Sequence, residues 1–428
     1  LMRPTADDIT VNGTATPASR GVIELNGADN VTIDGDNPNT GGINRNLNII
    51  LSGTNASVIV WLKTVSAADG CLNNTIMNCN LTGQNTYNSI AGVIAGSGTF
   101  GGAAQTANSN NTLQNNAIKR VQNGLYQNGV AASPHDVNWQ VRNNIIGSSV
   151  LADKLGFRGM ILINASSYLV DNNTITGVNS TTTTSATMTG IQLGTGNLNG
   201  TISNNKISDI KHNNTVGWGS NGIWLNASTV ASNTMVYNNF VSDVASAGFG
   251  GNTPTDNGYG IVASAGGGYN IYYNTVVMNT NQLNATGRAA ALLTTTGIAT
   301  NNTLNVRNNI FYNSQTAGAQ RYSVFSGATA ARYLDINYNE YYTASGVNLG
   351  NIGATDRANL AAWQTGTGKD ANSASLPLQF VSATDLHLLP ANCNLNGLGT
   401  PITVPAITTD IDGDTRNIAT PDMGADEF

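Results

Sequence analysis

Apolar residues in this chain recur in short alternating bursts, and almost nowhere at the three-to-four spacing of an amphipathic helix. No apolar run reaches the ~18 residues that a membrane-spanning helix needs. One six-residue pattern, apolar-x-Asn-Asn-x-apolar, organises the bursts: Leu113-Gln-Asn-Asn-Ala-Ile118, Val141-Arg-Asn-Asn-Ile-Ile146, Val170-Asp-Asn-Asn-Thr-Ile175, Ile202-Ser-Asn-Asn-Lys-Ile207 and Val236-Tyr-Asn-Asn-Phe-Val241. Looser copies follow at 271–276, 306–311 and 336–341. The copies lie about 28 to 35 residues apart, the scale of a solenoid repeat.

Between copies, glycine precedes a short alternating strand, as in Gly124-Leu-Tyr-Gln, Gly159-Met-Ile-Leu, Gly190-Ile-Gln-Leu, Gly222-Ile-Trp-Leu and Gly260-Ile-Val-Ala. Strands that return to one register in each repeat, without crossover helices, predict an all-β parallel β-helix of about ten coils. The fourth position of the pattern is Asn in every copy: Asn116, Asn144, Asn173, Asn205, Asn239, Asn274, Asn309 and Asn339. Amides stacked at the strand spacing can hydrogen-bond along the coils, so this column is the expected internal Asn ladder. The third position admits Tyr273 and Tyr338, which suggests that it has room. In an earlier copy, Ile76-Met-Asn-Cys-Asn-Leu81, Cys79 takes the ladder place and implies an inward-facing position.

The first coils are expected at 21–35 and Leu47–Leu51, and the Gly/Ala/Thr-rich stretch 84–107 reads as a loop or irregular coil. The composition changes after about residue 343, giving a solenoid over 1–343 and a capping segment over 344–428 packed on it. Within the cap, Thr355-Asp-Arg-Ala-Asn-Leu-Ala-Ala-Trp363 has a capping Thr and good helix formers and predicts one short helix. The segments after it are expected to close the open end of the coils.

Composition narrows the function classes. Charged residues are 10% of the chain, where soluble domains carry about a quarter, and 18 basic against 24 acidic side chains leave a net charge of −6. No basic stripe is available to neutralise phosphates, so nucleic acid is not an expected partner. Three cysteines, Cys71, Cys79 and Cys393, cannot form a disulfide framework. Cys71 and Cys79 are read as two buried thiols, with a local disulfide as the alternative. The start, Leu1-Met2-Arg3-Pro4, has no signal-peptide character, and the chain is read as a segment of something longer.

The tail Thr409-Asp-Ile-Asp-Gly-Asp-Thr-Arg416, followed by Pro421-Asp-Met-Gly-Ala-Asp-Glu-Phe428, resembles the closing motif of secreted right-handed parallel β-helix surface proteins of Bacteroidetes-type bacteria. Trp363, Asp370-Ala-Asn-Ser373, Pro377-Leu-Gln-Phe380, Asp385-Leu-His-Leu388 and Asp29-Asn-Val-Thr-Ile-Asp-Gly35 fit the same pattern. The resemblance implies a right-handed coil and an extracellular, secreted or surface-attached location. It also implies flanking domains in a longer chain, often with a type IX secretion sorting domain.

Candidate chemistry is sparse. Ile207-Ser-Asp-Ile210 and Val241-Ser-Asp-Val244 align, placing Asp209 over Asp243 at about one strand spacing. Such a pair suits a polysaccharide lyase, a glycoside hydrolase or a bound cation, while two strand-ending turns are the commoner use of Asp. Trp224, Tyr237, Phe240 and Tyr272 are outward aromatics expected to stack on sugar rings, unless the loop 244–259 folds over them. Asp410, Asp412 and Asp414 resemble half of a Ca2+ loop, or else form a capping turn with Arg416 paired to an Asp. Gly96-Ser-Gly-Thr-Phe-Gly101 has no strand-then-helix context and reads as a turn. The leading expectation is a non-catalytic extracellular stalk or adhesin, with glycans or other surface proteins as partners. A polysaccharide-cleaving enzyme using Asp209 and Asp243 is the alternative, and no cofactor other than Ca2+ is expected.

Overall fold

The computed structural model describes residues 1–15, 18–180, 186–214, 218–251, 253–282, 284, 286–318, 320–344 and 347–428, apart from the side chain of residue 393. It forms two compact units, one of residues 1–179 with 190–201, the other of residues 180–189 with 202–428. Both are parallel β-solenoids whose coils contribute one strand to each of three sheets.

In the first unit, the first sheet runs through Ile9–Gly13, Leu47–Leu51, Cys79–Thr82, Ala117–Lys119, Ile145–Gly147 and Thr174–Ser180. Thr32–Asp34, Thr75–Met77, Thr112–Gln114, Gln140–Arg142 and Leu169–Asp171 make the second sheet. The longer strands Gly21–Asn26, Ser57–Lys63, Ser89–Gly96, Asn123–Asn128 and Arg158–Ile163 make the third. Residues 84–107 thus hold a regular coil strand rather than only a loop.

In the second unit, Lys206–His212, Phe240–Ser242, Thr275–Met278, Ile310–Asn313 and Glu340–Thr343 form the first sheet. Thr234–Tyr237, Tyr269–Tyr272, Leu304–Arg307 and Tyr333–Asn337 form the second. The third contains Ser220–Asn226, Gly258–Ala265, Arg288–Thr294, Gln320–Ser326 and Gly350–Ile352.

The repeated hexapeptide is a strand, a two-residue corner and a strand. Val141 lies in the second-sheet strand Gln140–Arg142 and Ile146 in the first-sheet strand Ile145–Gly147, both fully buried, while Asn143 and Asn144 turn the chain between them. Asn144 points inward. Its Oδ1 accepts the Asn116 N–H at 3.0 Å, and its Nδ2 donates to Leu113 O and Arg142 O. The ladder runs Asn116, Asn144, Asn173 in the first unit and ends on the Cys79 N–H, which donates to Asn116 Oδ1. In the second unit it runs Asn205, Asn239, Asn274, Asn309, Asn339, and the Ser373 hydroxyl takes the last N–H.

The third position differs from its sequence reading. Asn115, Asn143, Asn172, Asn204, Asn238, Tyr273, Asn308 and Tyr338 all have φ between +50° and +59°, a left-handed conformation that favours Asn and strains Tyr. Its room is lateral, for the side chain, and not conformational. The glycine before the alternating strand is a close-approach residue. A Cβ on Gly222 would lie 2.3 Å from Val241 Cγ1, so the third sheet meets the first only without one.

The helix begins later than expected. It spans Leu360–Thr367 with Asn359 as N-cap, accepting the Ala362 N–H, and Gly368 as C-cap; Thr355–Arg357 is a strand antiparallel to Gly350–Ile352. Asn359 wins because its carboxamide reaches the orphan N–H of the first turn, whereas Thr355 lies in an extended pair. Beneath the helix, Asp370 is fully buried and accepts Trp363 Nε1–H at 2.6 Å and Tyr341 O–H at 2.7 Å.

Residues 376–428 run along the side of the second unit's coils rather than only closing an end. Leu378, Leu386, Leu388, Leu395, Ile411 and Met423 pack on Phe240, Val277, Ile310 and Tyr312, which face outward from the first sheet. Third-position residues hold this tail: Asn238 donates to Thr409 O, Tyr273 to Thr400 O, and Asn308 both donates to Thr400 O and accepts its N–H. Gly424, at φ +97°, presses against Ile310, where a Cβ would lie 2.5 Å from Cδ1.

Cys71 and Cys79 are free and buried, and burial pushes their thiols up to about 11 and about 12. Asp136 is buried beside Asn108, Gln127 and Val130, whose N–H groups it accepts. Desolvation pushes its carboxyl up to about 6, against the hydrogen bonds that favour the anion.

Two outcomes follow from this framework. Asn274→Ala removes the acceptor of the Asn239 N–H and the donor to Val236 O and Tyr272 O, and is expected to cost about 3 kcal/mol in urea unfolding. Asn172→Ala changes an exposed left-handed residue and is expected to cost about 1 kcal/mol; equal costs would show that the inner ladder has no special weight. For pH, Asp136 has a raised folded value, so its contribution is complete below 3.8 and is lost as pH rises through about 6. Between pH 4 and 7, Asp136→Asn should gain on the parent by on the order of 2–3 kcal/mol, and a pH-independent difference would contradict this.

Candidate functional site

Strand alternation on the third sheet of the second unit puts Trp224, Val262, Leu293 and Phe325 in one outward column, each paired with the next across adjacent coils. Tyr259, Ala290 and Tyr322 form a second buried column packed against it. Val262 and Leu293 are fully buried, while Trp224 and Phe325 remain half-buried at the two ends. Between them lies a cavity of about 490 Å³.

Trp224 is fixed by its indole N–H, which donates to Ser264 Oγ at 2.7 Å. Phe325 is held from behind by Arg288, whose guanidinium carbon lies 3.7 Å from the ring centroid. Arg288 is itself nearly buried, and desolvation lowers its basicity. Asn226, Ser264, Thr295 and Thr296 give the cavity hydrogen-bonding rims, and Thr253 with Pro254 form a wall from the 244–259 loop. None of the described residues lining it is acidic or a histidine. Two rings separated by a polar-edged floor suit a ligand with flat apolar faces and equatorial hydroxyls.

The corresponding column of the first unit is sealed. Trp61, paired with Ile94 and through it with Tyr126, is fully buried under Phe100, with ring centroids 4.8 Å apart. Gly96–Gly101 therefore form the turn that carries this cover, with Gly102 N–H bonded to Thr99 O.

The four aromatics expected to form a platform lie on different sheets. Phe240 belongs to the first sheet and is buried under the tail; Tyr237 and Tyr272 pair on the second sheet beneath Ile402 and Ile407. The expected row is therefore corrected to Trp224 alone, with Phe325 as the partner that the hexapeptide register did not reveal. Its signal was the equivalent place in a later strand, Gln320–Ser326, where no glycine precedes the alternation.

Asp209 and Asp243 do align, with φ of +54° and +52°, each at a left-handed bend. Lys211 bridges them at 3.1 and 2.8 Å, and Thr280 donates its hydroxyl to Asp243. Burial disfavours the ammonium, but Asp243 and Asp209 outweigh it and raise its pKa. Lys211 thus ties the two carboxylates into one ion-paired cluster.

In the segment 410–414 the structure shows a capping turn. Asp410 Oδ1 accepts the N–H groups of Asp412 and Asp414, and its Oδ2 accepts that of Glu427, so the buried carboxylate organises a turn. Asp414 is exposed, and Asp412 turns away to His387 and Lys206. Arg416 pairs with Glu427 and Asn238 and stacks 4.1 Å from the Tyr273 centroid, rather than pairing with an Asp of the turn.

No protein-family model matches the sequence, and no curated protein matches it. Similar solved structures include the Dettilon tailspike protein gp208, at 10% identity and a TM-score of 0.34 over 86% of this chain. The alignment spans 60% of the tailspike chain. XylC in complex with xylose aligns over 90% of this chain and 67% of its own, at 10% identity and a TM-score of 0.37.

Proposed function

We propose that this chain is a non-catalytic β-helical module of the bacterial surface that holds extracellular glycans. The observation that carries the reading is the open Trp224–Phe325 cavity, aromatic at both ends, hydroxyl- and amide-rimmed, and without acidic or histidine lining among the described residues. Sugar rings present apolar C–H faces to such rings and hydroxyls to Asn, Ser and Thr. The low charge of the chain agrees with a surface that contacts neutral polymers. The rigid stalk follows from the same coils, because each repeat packs on its neighbours and lengthens the unit without a new fold.

A glycan array probed with the whole chain tests this reading. Trp224→Ala is expected to weaken the strongest neutral glycan signal at least tenfold while leaving the far-ultraviolet circular dichroism unchanged, because its ring is a half-exposed wall and not core. An unchanged signal would place binding elsewhere. Release of oligosaccharides from that polymer would instead make the module an enzyme.

A further inference from the structure

The tail of the second unit brings together three ligand-type side chains from separate segments. His387, Asp412 and Asp426 each offer one atom, and all three atoms lie within 4.8 Å of one another. We propose that these residues bind one zinc-like divalent cation, which staples the tail to itself beside the first sheet.

The chemistry favours a borderline metal. An imidazole nitrogen with two carboxylates suits Zn2+ and its transition-metal neighbours, whereas Ca2+ takes six or more oxygens. Tetrahedral zinc with bonds near 2.0–2.1 Å sets ligand atoms ~3.3 Å apart, so the close His387–Asp412 contact would open to admit the ion while the wider pairs draw in. Asp412 is exposed, held by His387 and Lys206, and is the carboxylate that can shift; Asp426 is buried and fixed by the Leu388 N–H, which donates to its Oδ2 at 2.9 Å.

Two further features fit a metal ligand. His387 Nδ1 is bonded to Asp385, which orients the ring so that Nε2 faces Asp412. A carboxylate behind a ligating histidine is the usual support of a metal site. The edge of the imidazole also meets the Phe240 ring, at 4.9 Å and 83°, so the apolar packing limits its rotation. Charge points the same way. Asp385 and Asp412 both contact His387 and Asp426 lies beside them, while the lysine paired with this group among the described residues is Lys206, whose Nζ is 3.4 Å from Asp412 Oδ1. A dication on the ring nitrogen offsets that excess.

Titration calorimetry with Zn2+ on the whole chain, together with thermal unfolding, decides the matter. One equivalent is expected to bind with a dissociation constant below ~10 µM and to raise the melting temperature. His387→Gln and Asp426→Asn should each weaken binding by a hundredfold or more, and Asp385→Asn by ~10-fold. Asp414→Asn, an exposed member of the Asp-rich turn, should leave it unchanged. If a variant does not fold, Asp385→Asn, which leaves all three ligands in place, still reports. Absence of saturable heat at 1 mM Zn2+, binding indifferent to His387→Gln, or loss on Asp414→Asn would each overturn the proposal.

Discussion

The constraint on which the rest depends is a two-residue corner inside a packed coil. The chain must turn from the second sheet to the first with its N–H and C=O groups shut away from water, where an unpaired group costs about 1–3 kcal/mol. Consecutive asparagines solve both halves of the problem. The outer one adopts the left-handed bend at less cost than other non-glycine residues, and the inner one turns its amide along the column to pair groups of its own coil and the neighbouring one. With the corners set, the apolar residues on either side fall into register and stack Val on Val and Ile on Ile, each burial worth roughly 1.5–3 kcal/mol.

The same corner explains where the tail goes. In the first unit the outer side chains bond to each other, Asn115 to Asn78 and Asn172 to Asn143. In the second unit Asn238, Tyr273 and Asn308 turn instead to the tail. Beside them the first sheet presents Phe240, Val277, Ile310 and Tyr312, an apolar face that water would penalise. The tail covers that face with Leu and Ile side chains and pins itself through the corner residues. The third sheet is not covered in this way, and the aromatic cavity is found there.

The coil, its short recurring strands and the inner ladder were legible because they recur: an error in one copy is corrected by the next. What recurrence cannot report was missed. Phe240 and Tyr272 read as outward residues, correctly, but whether an outward residue meets water depends on a nonrepeating tail about 100 residues or more downstream. The helix start was misplaced for a related reason. Thr355 and Asn359 both offer a capping oxygen, and the antiparallel pairing of Thr355–Arg357 with Gly350–Ile352 decides between them. Asp209 over Asp243 was legible as an alignment, yet its chemistry depends on Lys211, two residues along the same strand and pointing to the same side.

Charge in a chain this poor in ionisable groups marks joints. Arg416 joins Glu427, Asn238 and the Tyr273 ring; Asp370 joins the helix to the last ladder rung through Trp363, Tyr341 and Ser373; Asp410 joins its own turn to Glu427. The first two lie where a nonrepeating segment meets a repeating one, the place where sheet hydrogen bonds end and directional side-chain bonds must replace them. The Asp-rich closing segment thus takes part in docking the tail. The corner around His387 is one place where such docking leaves more carboxylates than cations.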